Sequence, residues 1–351
     1  MKDFGREILA WYEIHGRDLP WRKTTDPYKI WLSEIILQQT RIKQGLSYYH
    51  NFTEKYPDVS SLARAPEEEV LKCWQGLGYY TRARNLHHTA RIIANDQQCT
   101  FPDNYKDLLN LKGIGEYTAA AIASIAFDEP RAVVDGNVIR VLSRIFGIKK
   151  SFDKPEGKKI FISKANDLIS KKEPGKFNQA IMDFGSIYCV PANPDCNHCI
   201  FKNDCYAFRN DQVDKLPVRS PKIKIRKRYF HYLVFNWNDP EQKTLLKKRN
   251  ERDIWMNLYD FPLIETENTM KWKDLITHPE FKKLTKGLVF NLRQSSPLYK
   301  HQLTHQQIHA RFFMLDITAL PNRKNYHKTK KSDISKYPVS RMIEKFLQDY
   351  P

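Results

Sequence analysis

The 351-residue sequence has no apolar run approaching the roughly 20 residues that a membrane-spanning helix requires. A helical membrane protein is therefore not expected. Met1 to Leu19 mixes charged with apolar residues and lacks the apolar core of a secretory signal, which points to a cytoplasmic protein. Internal repeats and low-complexity tracts are also missing, which sets aside solenoid arrays and biased tails. Acidic residues are in short supply: 40 Asp and Glu face 58 Lys and Arg, a formal charge of +18. Such an excess attracts a polyanion, although charge alone does not separate a nucleic-acid binder from a merely basic protein. Cysteine is sparse outside one place, with four of the six between Cys189 and Cys205.

What is present divides the chain in two, and its length allows two cored domains. Residues 1–215 read as helical. Pro27–Tyr49 is expected to be one helix with proline at its start. Asp103–Asn110 and Glu116–Phe127 form a helix pair around a glycine turn, and Val138–Phe146 is a helix with Asp135 as its N-cap. Residues 216–228 hold two prolines and six basic residues without an apolar stripe, and read as a linker. Residues 229–351 read as mixed α and β. Strands are expected at Tyr229–Trp237, Thr244–Lys248 and Ala310–Thr318, with a closing helix at Ser340–Tyr350.

The cysteines are spaced Cys189-x6-Cys196-x2-Cys199-x5-Cys205. Four thiolates within one short loop can surround a metal centre, and both zinc and a [4Fe–4S] cluster accept four cysteines. The single CxxC and the uneven spacing suit a loop wrapped around a cluster better than a zinc ribbon, without excluding zinc. Cys73 and Cys99 stand apart in the sequence and read as ordinary thiols.

Three further features carry chemistry. Leu111-Lys112-Gly113-Ile114-Gly115 joins two helices, and its glycines permit backbone amides to approach a phosphate. A plain helical corner is the alternative. Glu34 sits among Ile30, Trp31, Leu32, Ile35, Ile36 and Leu37. Buried there, it would be held protonated and serve as a general acid. On the helix's solvent face it would do nothing, and the pattern does not choose. Asp135, as an N-cap, would accept backbone N–H groups and stay ionised, or be a structural cap only. The two carboxylates together form the pair of opposite protonation used in glycoside cleavage.

At these residues the sequence resembles the adenine DNA glycosylases, the MutY family of the helix-hairpin-helix superfamily. The segments that carry the resemblance are Leu19–Arg22, Trp31–Glu34, Leu37–Thr40, Gly76–Tyr80, the glycine hairpin with Tyr117–Ala119, Val134–Val138, Phe177–Ala180 and the four cysteines. They span residues 19–205 in family order. The resemblance implies an all-α glycosylase domain with a [4Fe–4S] loop, followed by an α+β Nudix-like domain. It implies a monomer acting on double-stranded DNA in the nucleoid, where it removes adenine opposite 8-oxoguanine or guanine. Glu34 would protonate adenine N7 and Asp135 would stabilise the sugar cation, with Tyr117 and Asn137 assisting. Trp21, Arg22, Leu37 and Gln179 would line the adenine pocket. Gln39 and Tyr79 would wedge into the duplex, with Thr40 and Leu77 nearby and Gly113 and Gly115 on the backbone. Cys189, Cys196, Cys199 and Cys205 would hold the cluster.

Lyase-active relatives resembling endonuclease III carry a lysine where this sequence has Tyr117. A phenol forms no Schiff base, so a monofunctional enzyme is expected. In the C-terminal part, Ile254–Pro262 resembles the family's aromatic-proline segment. The magnesium-binding acidic Nudix helix is missing, so recognition rather than hydrolysis is implied. Leu303-Thr304-His305 resembles the family's Phe-Ser-His lesion loop, which would leave Thr304 and His305 as lesion contacts; an ordinary loop before the Ala310 strand is the alternative.

Overall fold

The computed structural model describes residues 3–220, 225–237, 240–321 and 323–350. It divides into two compact units, Met1–Arg64 with Asn85–Pro221, and Ala65–Arg84 with Lys222–Pro351. Residues 65–84 thus belong with the C-terminal segment, which the boundary at 215 does not anticipate.

The described helices run α1 (Phe4–His15), α2 (Pro27–Leu37), α3 (Ile42–Lys55), α4 (Val59–Arg64), α5 (Glu67–Cys73), α6 (Thr81–Asp96), α7 (Tyr105–Leu109), α8 (Glu116–Ala126), α9 (Gly136–Phe146), α10 (Pro155–Leu168), α11 (Pro174–Asp183) and α12 (Tyr206–Arg209). All except α5 and the start of α6 belong to the first unit. Helix α2 begins at Pro27, with the Asp26 carboxylate accepting the Tyr28 N–H at 2.9 Å. Eight of its eleven residues are buried, so the helix has no solvent face to offer Glu34.

The single helix expected over Pro27–Tyr49 is two. Gln39 adopts φ +55°, a left-handed conformation that a continuing helix cannot accommodate. The chain turns at Gln38–Arg41 and α3 packs back on α2. Buried Gly45 lets the two approach, since a Cβ there would lie 2.8 Å from Leu37 Cδ2. The glycine hairpin joins α7 to α8. Gly113 takes φ +84°, where a Cβ would also meet that of Asn85 at 2.7 Å, so glycine is required.

The second unit is built on a mixed sheet of β1 (Arg226–Trp237), β2 (Lys243–Lys248), β3 (Tyr259–Asp260), β4 (Leu263–Thr266), β5 (Phe290–Ser295), β6 (Tyr299–Gln302), β7 (Gln306–Ile317) and β8 (His327–Lys330). Its main path is β3-β2-β1-β7-β5, with β1 and β7 parallel from Arg226↔Gln306 to Trp237↔Ile317. One face carries Leu233, Phe235, Phe313 and Leu315 against helices α13 (Trp272–Leu275) and α14 (Pro279–Thr285). On the other face Phe312 stacks on Phe346 of α15 (Arg341–Asp349), with centroids 4.0 Å apart.

The linker expected to reach residue 228 ends sooner. Arg226–Arg228 already pair with β7, and Arg228 is buried in ion pairs with Asp253 and Glu265, both at 2.7 Å. These basic residues look like linker but are strand because β7, and the carboxylates that neutralise Arg228, lie far along the chain. Positions 221–224 of that linker lie outside the described residues. No described helix is long and apolar enough to cross a membrane.

Candidate active site

Helices α2, α8, α9 and α11 and the short turn at Pro20–Arg22 converge on a cavity of about 170 Å³ in the first unit. Its lining includes Trp21, Arg22, Glu34, Leu37, Thr40, Tyr117, Asp135, Asn137 and Gln179. Gln39 and Gly115 instead line an adjoining opening that shares Glu34, Leu37, Tyr117 and Asp135. Gly113 sits in the hairpin. Leu77, Tyr79, Thr304 and His305 belong to the second unit, where the Tyr79 hydroxyl lies 2.6 Å from Thr304 Oγ1. The expected lesion triplet Leu303–His305 forms the β6–β7 turn.

The two carboxylates occupy different environments. Glu34 is 8% exposed. Burial pushes it up to about 7, and the nearby Asp135 charge pushes the same way, while the Tyr117 phenol and Arg22 pull it back. Asp135 is raised by burial too, but its donors oppose that rise. Its Oδ1 accepts the N–H of Asn137 at 2.9 Å and of Val138 at 2.8 Å, and its Oδ2 accepts Asn137 Nδ2 at 2.8 Å. Three N–H groups and the start of α9 favour the anion on Asp135. Glu34 has a single phenol. The pair is therefore built to hold its proton on Glu34. Tyr117, whose hydroxyl also lies 3.2 Å from Met182 Sδ, is raised well above the usual phenol range by burial and stays neutral.

Supporting residues escape sequence reading. Asp183 grips Arg22 through both guanidinium ends, at 2.5 and 2.6 Å, and also binds Arg17. Burial raises the Asp183 carboxyl, but the hydrogen bonds from Arg22 and Arg17 outweigh this and hold it low. Gln179 Oε1 accepts the Tyr12 hydroxyl at 2.9 Å, which orients the amide. On α9, Arg140 donates to Asn137 Oδ1 and to the Cys189 carbonyl, at 2.9 and 2.8 Å. Arg144 donates to the Val190 and Pro191 carbonyls at 2.7 and 2.9 Å, and reaches Cys189 Sγ at 3.5 Å. Two arginines four residues apart on the polar face of α9, beside Asn137 and Ser143, were the available signal.

The four clustered cysteines line one cavity together with Arg144, Phe184 and Tyr188. Burial and the neighbouring thiols push Cys199 up to about 12 despite a backbone donor. Among the described residues, no three His, Cys, Asp or Glu side chains close on a single point as ligands of one ion would.

Residues 32–165 match the profile of the HhH-GPD superfamily base excision DNA repair protein, and residues 233–349 that of the NUDIX domain. The adenine DNA glycosylase of Buchnera aphidicola subsp. Schizaphis graminum is 34% identical over 331 residues, covering 93% of this chain and 91% of that protein. The chain belongs to the adenine DNA glycosylases. It is an enzyme of base excision repair that cleaves the N-glycosyl bond of adenine in DNA. The rat adenine DNA glycosylase is 41% identical over 215 residues, 59% of this chain and 42% of its own length. Among solved structures, a thermostable thymine-DNA glycosylase aligns with TM-score 0.55 and 34% identity, over 59% of this chain and 95% of that one. A non-covalent endonuclease III–DNA complex aligns at 0.51 and 21% over 59% and 94%, a likeness of fold alone. The glycosylase family thus accounts for the helical unit and the NUDIX match for the sheet unit.

Proposed function

We propose that this glycosylase removes adenine paired with 8-oxoguanine or guanine in double-stranded DNA and leaves an abasic site without cutting the strand. It acts as a cytoplasmic monomer at the nucleoid. The observation that carries the chemistry is the unequal carboxylate pair in one buried cavity. Adenine flipped into that cavity meets the wall formed by Trp21, Arg22, Leu37 and Gln179. Glu34, protonated near neutral pH, donates to N7 and turns the base into a neutral leaving group. The bond to C1′ breaks, and the Asp135 carboxylate faces the oxocarbenium-like sugar until water adds. Asn137 holds that carboxylate in place.

Tyr117, neutral in the cavity, forms no imine, and Lys158 in the adjoining opening is engaged by Glu116 at 2.7 Å. This supports a monofunctional enzyme over a glycosylase-lyase. The helical unit, residues 1–215 in sequence terms, carries excision, and residues 229–351 read the oxidised guanine through Thr304 and His305. Gln39 and Tyr79 each wedge into the duplex at the oxidised guanine.

Cys189, Cys196, Cys199 and Cys205 would hold a [4Fe–4S] cluster. Four cysteines lining one cavity, with a single CxxC and otherwise uneven spacing, support a cluster over a zinc ribbon. When bound, it would fix the 189–205 loop in a single fold.

The test is a duplex with one 8-oxoguanine:adenine pair. Strand breakage at the adenine only after alkali is expected. Breakage without alkali would show a lyase, and no base loss would remove the assignment. The purified protein is expected to contain about four iron and four sulfide per chain, and zinc in their place would overturn the cluster.

A further inference from the structure

The sheet of the second unit ends in a strand with one open side. Strand β5 is the last on the main path and pairs with β7, while its other edge meets no described strand. An open edge presents N–H and C=O groups that a further strand can take up, and proteins usually blunt it with a bulge, a charge or a cover. Here the blunting is partial. The register shifts between Leu292 and Gln294, which breaks the edge at Arg293. Residues 290–292, before that break, stay regular and uncharged, and Val289 ahead of them is 69% exposed.

Beside this edge, β5, α13 and α14 enclose an open groove of about 420 Å³, lined by Trp272, Ile276, Phe281, Phe290 and Leu292 together with Lys282. Strand β5 supplies three consecutive lining residues and β7 none, so the groove lies at the outer side of the sheet. Trp272, Phe281 and Phe290 meet edge to face, with centroids 5.4, 5.6 and 6.4 Å apart. Neighbouring strands lie about 4.8 Å apart, so a strand added to β5 would set alternate side chains into this corner. Charge selects the occupant. Between residues 271 and 293, Lys271, Lys273, Lys282, Lys283, Lys286 and Arg293 stand against Asp274 and Glu280. Of these cations only Lys283 has an ion-pair partner among the described residues, Glu280 at 3.5 Å on the exposed surface. A second copy of this chain, at +18, would bring like charge to the edge. A DNA duplex would meet the lysines but leave the aromatic corner unfilled.

We propose that the β5 edge binds an extended acidic segment of a partner protein by strand addition, with an aromatic or aliphatic side chain seated among Trp272, Phe281 and Phe290 and carboxylates facing the lysines. In such pairing the main-chain hydrogen bonds supply affinity, and pockets for alternate side chains supply specificity. The groove lies within the sheet unit and shares no residue with the adenine cavity, so a partner held there leaves excision free to proceed.

The experiment is fluorescence anisotropy of the full chain with a labelled heptapeptide, Asp-Phe-Glu-Val-Asp-Val-Glu. Saturable binding is expected, and the same peptide with lysine at every acidic position should bind at least about tenfold more weakly. Strand addition makes a sharper demand. Alternate residues of an added strand turn their N–H groups toward the edge, and the others turn theirs to solvent. N-methylation of the two sets, in separate peptides, should therefore cost about tenfold or more in one and little in the other. Lys282→Glu should weaken binding about tenfold and Ile276→Ser several-fold. Both residues are exposed, so melting temperature and adenine excision should not change. Absence of saturable binding, equal effects of the two methylation patterns, or unchanged affinity in either variant overturns the proposal. So does a short single-stranded oligonucleotide that binds more tightly than the peptide and loses that affinity in the same variants, which would assign the groove to nucleic acid.

Discussion

Glu34 concentrates the residue-scale physics. Its folded pKa of about 7 lies above its ordinary value of 4.5. A carboxyl raised by folding stabilises the fold while protonated. That contribution is complete below the unfolded pKa, declines as pH rises through 4.5, and is gone above 7. The difference corresponds to roughly 3 kcal/mol. Glu34→Gln should therefore abolish adenine release with DNA binding retained. It should also raise the melting temperature at pH 8 and change it little at pH 4. Scanning calorimetry of both proteins at the two pH values checks this, and a variant equally active or destabilised at pH 8 would contradict the general-acid role. Wild-type single-turnover excision should fall above pH 7 as the acid loses its proton.

At the scale of the element, α9 does two jobs. Its N-terminus presents Asp135 and Asn137 to the cavity, and its interior arginines hold the cysteine loop by backbone carbonyls. Arg144 alone reaches the carbonyls of Val190, Pro191, Val213 and Leu216. Removing this donor leaves buried carbonyls unsatisfied, at about 1–3 kcal/mol for each that finds no other donor. Arg144→Met is expected to lower the melting temperature by several degrees and to speed loss of iron to a chelator. Iron retention equal to wild type would show that the loop does not need this clamp. Helix α2 makes the complementary point. Neither glycine nor proline falls between Leu37 and Gln44 to mark its end, yet Gln39 leaves the right-handed region and ends it.

At the scale of the whole molecule, residues 65–84 interrupt the helical unit in sequence and belong to the sheet unit in space. Glu68 bonds Tyr259 at 2.5 Å and Lys248 at 3.1 Å, Arg84 bonds the Met256 carbonyl at 2.7 Å, and Tyr80 bonds the Val339 carbonyl at 3.1 Å. The stretch that carries Leu77 and Tyr79 is thus held within the sheet unit. Thr304→Val removes the partner of the Tyr79 hydroxyl and should reduce the preference for 8-oxoguanine over guanine opposite adenine several-fold, with excision in the saturated complex nearly intact. Competition between the two duplexes measures this, and an unchanged preference would separate the wedge from lesion reading. With a formal charge of +18, affinity for undamaged duplex should fall steeply with salt in wild type and variant alike.

Sequence alone determined the family motifs, the cysteine spacing, the N-cap at Asp135 and the helix–sheet order, because each depends on residues close together in the chain. It left open whether Glu34 faced solvent, ran the linker on to residue 228 and kept residues 65–84 in the helical domain. Those answers depend on partners far apart in sequence. Burial of α2 on all sides raises Glu34, the pairing of β1 with β7 turns a basic linker into strand, and Glu68 and Arg84 bind groups more than 170 residues away. Tertiary structure decided them because desolvation and ion pairing act through space, and local pattern carries no record of what a side chain will meet.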